Sequence, residues 1–118
     1  MDLIYCADGN RRFAEIAINA GFKYGARLPA RGLPFAPYFA DQDWKRPNRE
    51  RYMAELARHR PHMATVLDLE RGEQLNDVLG WADEASQYVS VVLIIPKEFG
   101  IIARLPRRIN DAEVRLAY

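Results

Sequence analysis

Carboxylates gather at the ends of apolar runs in this sequence. The stretch "PYFADQDW" places apolar and aromatic residues in front of Asp41 and Asp43 and ends on a tryptophan. The same arrangement recurs in "IYCADGN", which contains Asp8, and in "TVLDLE", which contains Asp68 and Glu70. Neighbouring acids repel one another unless they bind a cation, share protons, or face a cationic or hydrogen-bonding ligand. The pattern therefore predicts a binding or catalytic site.

Strand-like and helix-like segments alternate along the chain. Short apolar runs predict strands at "LIYCA", "FKYGARL", "PYFA", "MATVLDLE" and "YVSVVLIIP". The final segment "EVRLAY" predicts a further strand that is left unpaired. Helical spacing of apolar residues predicts three helices. The first buries Phe13, Ile16, Ala17 and Ala20, the second follows Pro47, and the third covers residues 73–88.

Strands joined by crossover helices form parallel sheets, so the sequence predicts an α/β protein. A chain of 118 residues fits one domain, residues 1–118. Both a small doubly wound sheet and a partial (half) TIM-type barrel satisfy the pattern, and we favour the half barrel. Such a domain could also be the N-terminal half of a larger barrel.

The carboxyl ends of parallel strands share one edge of the sheet, where ligands bind. Each acidic group follows an apolar strand, and so does Lys97. The topology therefore predicts that these side chains form an acidic rim. For any one acid, a turn or a helix cap is an equally good explanation, but for the set we favour function.

The segment from "PYFADQDW" through a helix to "RPHMATVLDLE" resembles tRNA-guanine transglycosylases. These are (β/α)8 barrels that exchange guanine for a 7-deazaguanine. The resemblance implies that Asp41 contacts the base, that Asp68 shapes the site, and that the nucleophile lies beyond Tyr118. "QDW" replaces the family's glycine pair, and its zinc-binding cysteines are absent. "YCADGN" and "ADQDW" also resemble uncharacterised phage and bacterial proteins, which supply no function.

These arguments assign a role to each candidate. Asp41 and Asp68 are predicted to be catalytic, and the predicted substrate contacts are Asp8, Asp43, Trp44, Glu70 and Lys97. Arginines near the rim would bind a phosphate-bearing nucleotide or nucleic acid while the tryptophan stacks on a base. The predicted phosphate contacts are Arg46, Arg49, Arg104, Arg107 and Arg108. For the arginine-rich run at 45–60 alone, a solvated helix face is the commoner explanation.

No resident cofactor or metal site is predicted. Mg²⁺ remains an alternative, because the two acids of "DQD" together with Asp8 and Asp68 offer the oxygen ligands that it prefers. His59 and His62 flank Pro61, so they cannot lie on one helical face as a zinc pair would require.

Composition limits the remaining classes of function. The 17 basic and 16 acidic residues nearly cancel, so a nucleic-acid role would have to rest on a local patch. The single cysteine, Cys6, excludes an internal disulfide and is predicted to be a small core residue in a cytoplasmic protein. No apolar run is long enough for a membrane span.

Two hypotheses follow from the sequence. The first is an enzyme that acts on a nucleoside or nucleic-acid base. The second is a non-catalytic half barrel that binds a partner, either a second copy or a missing C-terminal half, through an uncovered sheet edge.

Overall fold

A computed structural model describes residues 2–6 and 9–117. Strands and helices alternate in it as the sequence predicts. Two short 3₁₀-helical turns are also present. The first, Gly72–Gln74, overlaps the start of the helix predicted over 73–88, whereas the second, Phe99–Arg104, was not predicted from the sequence. The remaining elements are β1 (Ile4–Cys6), α1 (Arg11–Asn19), β2 (Lys23–Leu28), β3 (Phe39–Gln42), α2 (Arg49–His59), β4 (Met63–Thr65), α3 (Leu75–Ala85), β5 (Val91–Ile94), β6 (Arg108–Ile109) and β7 (Ala112–Leu116).

The strands form one open sheet in the order β1-β2-β3-β4-β5-β7-β6. Every neighbouring pair from β1 to β7 is parallel, which confirms the predicted α/β class, and only β6 runs antiparallel to its neighbour. The prediction that "EVRLAY" is an unpaired strand was wrong, because β7 lies between β5 and β6. The short hairpin made by β6 occupies that edge.

Helices α2 and α3 cover one face of the sheet. Asn48 starts α2 by accepting a hydrogen bond from the backbone N–H of Arg51, and Arg60 ends the helix in the left-handed conformation. The apolar stripe of α2 and α3 packs on alternate strand residues, which form the main core. This core includes Ala40, Tyr52, Leu56, Ala64, Val66, Val78, Ala82, Val92 and Ile94.

The predicted buried stripe of α1 was wrong in part. Ala14 and Ala17 are buried, whereas Phe13 and Ile16 are 56% and 55% exposed. Ala14 packs with Tyr24 and other residues of β2 in a small separate cluster. Alanine methyl groups allow the helix to approach the strand closely, and this rotates the larger side chains outward.

Within residues 2–6 and 9–117, no helix packs on the opposite face, which nevertheless buries apolar groups. The register aligns Cys6, Gly25, Phe39, Met63 and Val91 in one row across this face. The last two are 6% and 3% exposed, although neither belongs to the core formed with the helices. The prediction that the cysteine is a core residue was wrong, because it is exposed on edge strand β1.

Close contact within this row contributes to the burial. A Cβ atom on Gly25 would lie 2.8 Å from Cys6 Sγ and 2.9 Å from Phe39 Cδ1, so the neighbouring side chains already fill the space above the glycine. None of the residues of this row belongs to the two core clusters that the helices form with the sheet, and we call this side of the sheet the open face.

Candidate functional site

Asp41 lies at the carboxyl end of β3 and is held there by Thr65 of β4. The Thr65 hydroxyl donates to Asp41 Oδ1 over 2.8 Å and accepts from the backbone N–H of Gln42 over 2.9 Å. Thr65 is only 3% exposed, so little water competes for these bonds. The Asp41 carboxylate is therefore fixed in position on the open face, where its remaining lone pairs can accept from a ligand.

Tyr52 supports the same strand ends from the helix side. Its hydroxyl donates to the Thr65 carbonyl oxygen over 2.7 Å, and the Ala40 carbonyl oxygen lies 3.4 Å away. Burial raises the pKa of Tyr52, so its hydroxyl remains a donor. This contact connects α2 to the backbone that carries the Thr65–Asp41 pair.

Asp68 and Lys97 lie on two segments that bind each other beyond the ends of β4 and β5. The Leu69 N–H donates to the Ile95 carbonyl oxygen over 3.0 Å, and the Lys97 N–H donates to the Leu69 carbonyl oxygen over 2.9 Å. Gln74 also accepts from the backbone N–H groups of Glu70 and Arg71. These bonds extend the sheet past its regular strands and fix the loop that carries Asp68.

The pKa of Asp68 shows which charges surround it. Partial burial raises this pKa, Lys97 opposes the rise, and the carboxylates of Asp41 and Glu70 add to it. The four predicted rim groups that follow β3, β4 and β5 therefore lie within electrostatic range of one another. Asp68 takes up a proton more readily than an aspartate in water, whereas Asp41 accepts a hydrogen bond from Thr65.

Asp43 and Trp44 lie in the loop that leads into α2. Asp43 Oδ1 accepts from the backbone N–H groups of Lys45 and Arg46, at 3.1 and 3.3 Å, so this carboxylate shapes a turn. Trp44 is 62% exposed, with the Lys45 ammonium group 5.3 Å from its ring centre. An exposed indole can stack on a base, so the substrate contact predicted for Trp44 stays a prediction.

The predicted phosphate contacts fall in different places. Arg46 borders the rim, whereas Arg49 donates to Glu84 Oε1 and to the Gly80 carbonyl oxygen, which ties α2 to α3. Arg104, Arg107 and Arg108 lie near the β6–β7 end of the sheet, away from Asp41 on β3. The structure thus does not gather these five arginines into one patch.

Asp8 lies outside the described residues, so its predicted place on the rim is not tested. Within residues 2–6 and 9–117, no group of three or more His, Cys, Asp or Glu side chains is arranged to hold a metal ion. The two histidines make separate contacts: His59 Nε2 lies 3.4 Å from Glu55 Oε2, and the ring of His62 stacks on that of Tyr38. In the same residues, none of the helices has the length and apolarity needed to cross a bilayer.

Sequence patterns missed the residues that support the rim. Thr65 and Tyr52 fall within apolar runs and resemble ordinary strand and helix residues. Gln42 is 2% exposed on the helix-covered face, and its Oε1 has no hydrogen-bond partner in the described part of the chain. A polar residue in an otherwise apolar strand was the available signal for both Thr65 and Gln42.

Fold and site together define an α/β protein with an open, mostly parallel sheet and a group of carboxylates and a lysine at its carboxyl edge. The chain belongs to a family described as "Family of unknown function (DUF6610)", which matches residues 17–118. This match begins within α1 and includes β2 to β7. A comparison with curated proteins gave no match, and a comparison with solved structures gave none.

Proposed function

We propose that this chain binds a nucleobase at the carboxyl edge of its sheet and belongs to an enzyme that modifies bases or nucleosides, similar to the guanine transglycosylases. The observation that carries this proposal is the fixed Asp41 carboxylate beside the more easily protonated Asp68. In this proposal the open sheet is part of a TIM-type barrel. Sequential parallel strands, with the reactive groups after them, support that assignment.

Recognition of a guanine-like base would rest on Asp41. Guanine presents a ring N–H and an exocyclic amino group side by side, and an ionised carboxylate accepts from two such donors. Thr65 holds the carboxylate without neutralising it, because a hydroxyl carries no charge. Trp44 would stack on the exposed face of the base.

Proton transfer would rest on Asp68. Base exchange at a sugar requires a proton to be delivered to the departing base or removed from the incoming one. A carboxyl group with a raised pKa performs both roles closer to neutral pH than an ordinary aspartate does. Lys97 opposes the rise in pKa, so it sets how far above the ordinary value Asp68 titrates.

Calorimetric titration with guanine, a 7-deazaguanine and adenine, each with and without Mg²⁺, tests the proposal. We expect the guanine-like bases to bind and Asp41→Asn to weaken them by roughly 1.5–3 kcal/mol, the value of a charge-assisted hydrogen bond. Asp111→Asn is a charge-matched control in the turn between β6 and β7. Thr65→Val should weaken binding and Thr65→Ser should retain it, because only serine keeps the hydroxyl.

The proposal is wrong if no base binds to the folded protein, or if Asp41→Asn binds as tightly as the unaltered chain. Binding of Mg²⁺ alone, lost in Asp43→Asn, would instead favour the metal-dependent alternative. Far-UV circular dichroism of every variant keeps a folding defect from being taken for a binding defect.

A specific observation favours a second candidate, in which the domain binds another protein surface. Leu3, Phe13 and Ile16, at the β1 end of the sheet, are each more than half exposed. Phe13 and Ile16 are three residues apart on α1 and so lie on one side of the helix, and neighbouring exposed apolar side chains are typical of contact surfaces. Light scattering at tens of micromolar should then report an assembly that Phe13→Glu dissociates, and a monomer would exclude association with a second copy.

A further inference from the structure

Two adjoining clefts open at the carboxyl ends of β2 and β3. The first has a volume of about 470 Å³, and Arg31, Arg46 and Arg51 contribute to its lining. The second, of about 350 Å³, is lined in part by Arg27 and Arg31. Pro29, Ala30, Arg31 and Asp43 border both clefts, so we treat them as one feature and call it the arginine cleft.

The arginines of this cleft differ from most others in the chain. Elsewhere, Arg11, Arg49 and Arg115 form ion pairs with glutamates at 2.8–3.0 Å, and Arg60 donates to backbone carbonyl groups. Within the described part of the chain, no acceptor or ion-pair partner meets the guanidinium groups of Arg27, Arg31, Arg46 and Arg51. Their donors remain available to a ligand.

The local charge of the cleft is positive. Its acidic lining residues are Asp43 and Glu55, and both already have partners. Asp43 accepts from two backbone N–H groups. Glu55 Oε1 lies 3.9 Å from a guanidinium nitrogen of Arg58, and Glu55 Oε2 lies 3.4 Å from His59 Nε2. Asn48, which caps α2, also lines the cleft, so the positive end of an 11-residue helix adds to the field. Like charges brought together in this way favour a bound anion.

The arginine cleft is continuous with the proposed base site. Arg27 of β2 is the register partner of Asp41 on β3, and Asp41 continues the same row to Thr65 on β4. Cross-strand neighbours lie about 5 Å apart, so one ligand can reach both side chains. Although they are neighbours, Arg27 and Asp41 form no ion pair within 4 Å.

We propose that the arginine cleft binds the phosphate of a nucleotide or polynucleotide whose base lies at Asp41. This inference rests on the proposed function and narrows it, because it makes the substrate a phosphorylated nucleoside and not a free base. Arginine is suited to this role because its planar group donates two parallel hydrogen bonds to phosphate oxygens. Of the phosphate contacts predicted from sequence, only Arg46 lies in this cleft.

Titration with guanosine, guanosine 5′-monophosphate, pyrophosphate and a short single-stranded oligonucleotide tests the inference. We expect the monophosphate to bind at least about tenfold more tightly than guanosine, as charge-assisted hydrogen bonds to phosphate predict. Arg31→Ala and Arg46→Ala should each remove most of that advantage while guanosine binding is unchanged. Arg12→Ala is the control, because Arg12 is exposed on α1, has no partner in the described residues and lines neither cleft.

For the oligonucleotide, each arginine substitution should make the negative slope of log K against log salt shallower by about 0.7. If Arg31→Ala and Arg46→Ala weaken binding of the oligonucleotide more than binding of the monophosphate, the phosphate in the cleft belongs to a polynucleotide. Pyrophosphate binding that depends on Arg31, with no binding of guanosine, would support the cleft and contradict the proposed base site.

The inference is overturned if the monophosphate binds no more tightly than guanosine while guanosine binds well, an outcome that leaves the base site intact. It is also overturned if Arg12→Ala weakens phosphate binding as much as Arg31→Ala does. Arg31 and Arg46 are exposed loop residues, so their alanine variants should fold. Thermal melting of each variant checks this.

Discussion

The two faces of the sheet are shielded from water by different means. On one face, α2 and α3 bury Leu56 and Val78 completely against alternate residues of the strands. On the open face the described residues form no comparable helical layer, and yet Met63 and Val91 are only 6% and 3% exposed. Because successive strand residues point to opposite faces, the same short strands supply both surfaces.

This difference separates stability from candidate function. The helix-covered face is almost wholly apolar, and its one unsatisfied polar atom in the described residues is Gln42 Oε1. The open face has an apolar row through Phe39 and Met63 and, nearer the carboxyl edge, a row that contains Arg27, Asp41 and Thr65. Polar groups persist there because Thr65 and Asp41 satisfy each other by a hydrogen bond and Arg27 is exposed to solvent.

The largest predicted effect compares one apolar residue from each face. Leu56→Ala, on the helix-covered face, should lower the free energy of unfolding by about 2–5 kcal/mol, because it leaves a cavity in a packed core. Phe39→Ala, on the open face, should lower it by only about 1 kcal/mol, because this side chain is already partly exposed. Urea unfolding measures both. Equal losses would show that the open face is packed as tightly as the other.

A smaller effect tests the close packing of the open face at Gly25. A Cβ atom there would lie 2.8 Å from Cys6 Sγ, 2.8 Å from Ile4 Cγ2 and 2.9 Å from Phe39 Cδ1. These contacts are too short, so Gly25→Ala should cost about 1–3 kcal/mol in unfolding free energy. Combining it with Cys6→Ala removes one contact and should recover part of the loss. No recovery in the double variant would mean that the sulfur atom does not limit the space.

The smallest effect concerns Asp68, at the rim where the two faces meet. Partial burial raises its pKa in the folded protein, so the folded state holds this proton more tightly than the unfolded chain does. The resulting stability is fully present below the pKa of the unfolded chain, about 3.9, and is lost as the pH rises through the folded pKa. Asp68→Asn should therefore show a smaller fall in stability over this pH range than the unaltered protein.

Urea unfolding between about pH 3 and pH 7 checks this difference, because the interval begins below the ordinary aspartate pKa and extends in the direction in which burial shifts the pKa of Asp68. The unaltered protein and Asp68→Asn should differ most at the upper end, where the variant is relatively more stable. A constant difference at every pH would show that the carboxyl group of Asp68 does not feel its burial.

The sequence determined the alternation of strands and helices and the parallel sheet. Helical and strand periodicities are local, so "MATVLDLE" and "YVSVVLIIP" indicated their strands without knowledge of their neighbours. Topology then brought Asp41, Asp68, Glu70 and Lys97 to one edge, as the alternating pattern predicted. That part of the site follows from a general property of parallel sheets.

Only the tertiary structure decided which polar groups are already satisfied. The arginine-rich run looked uniform in sequence, yet Arg49 pairs with Glu84 on another helix, while Arg46 faces a cleft with Arg31 from a different loop. Asp43 is bound to its own turn, whereas Asp41 is held by Thr65, 24 residues away. A hydrogen bond depends on distances between segments that are remote in sequence, and no local pattern encodes those distances.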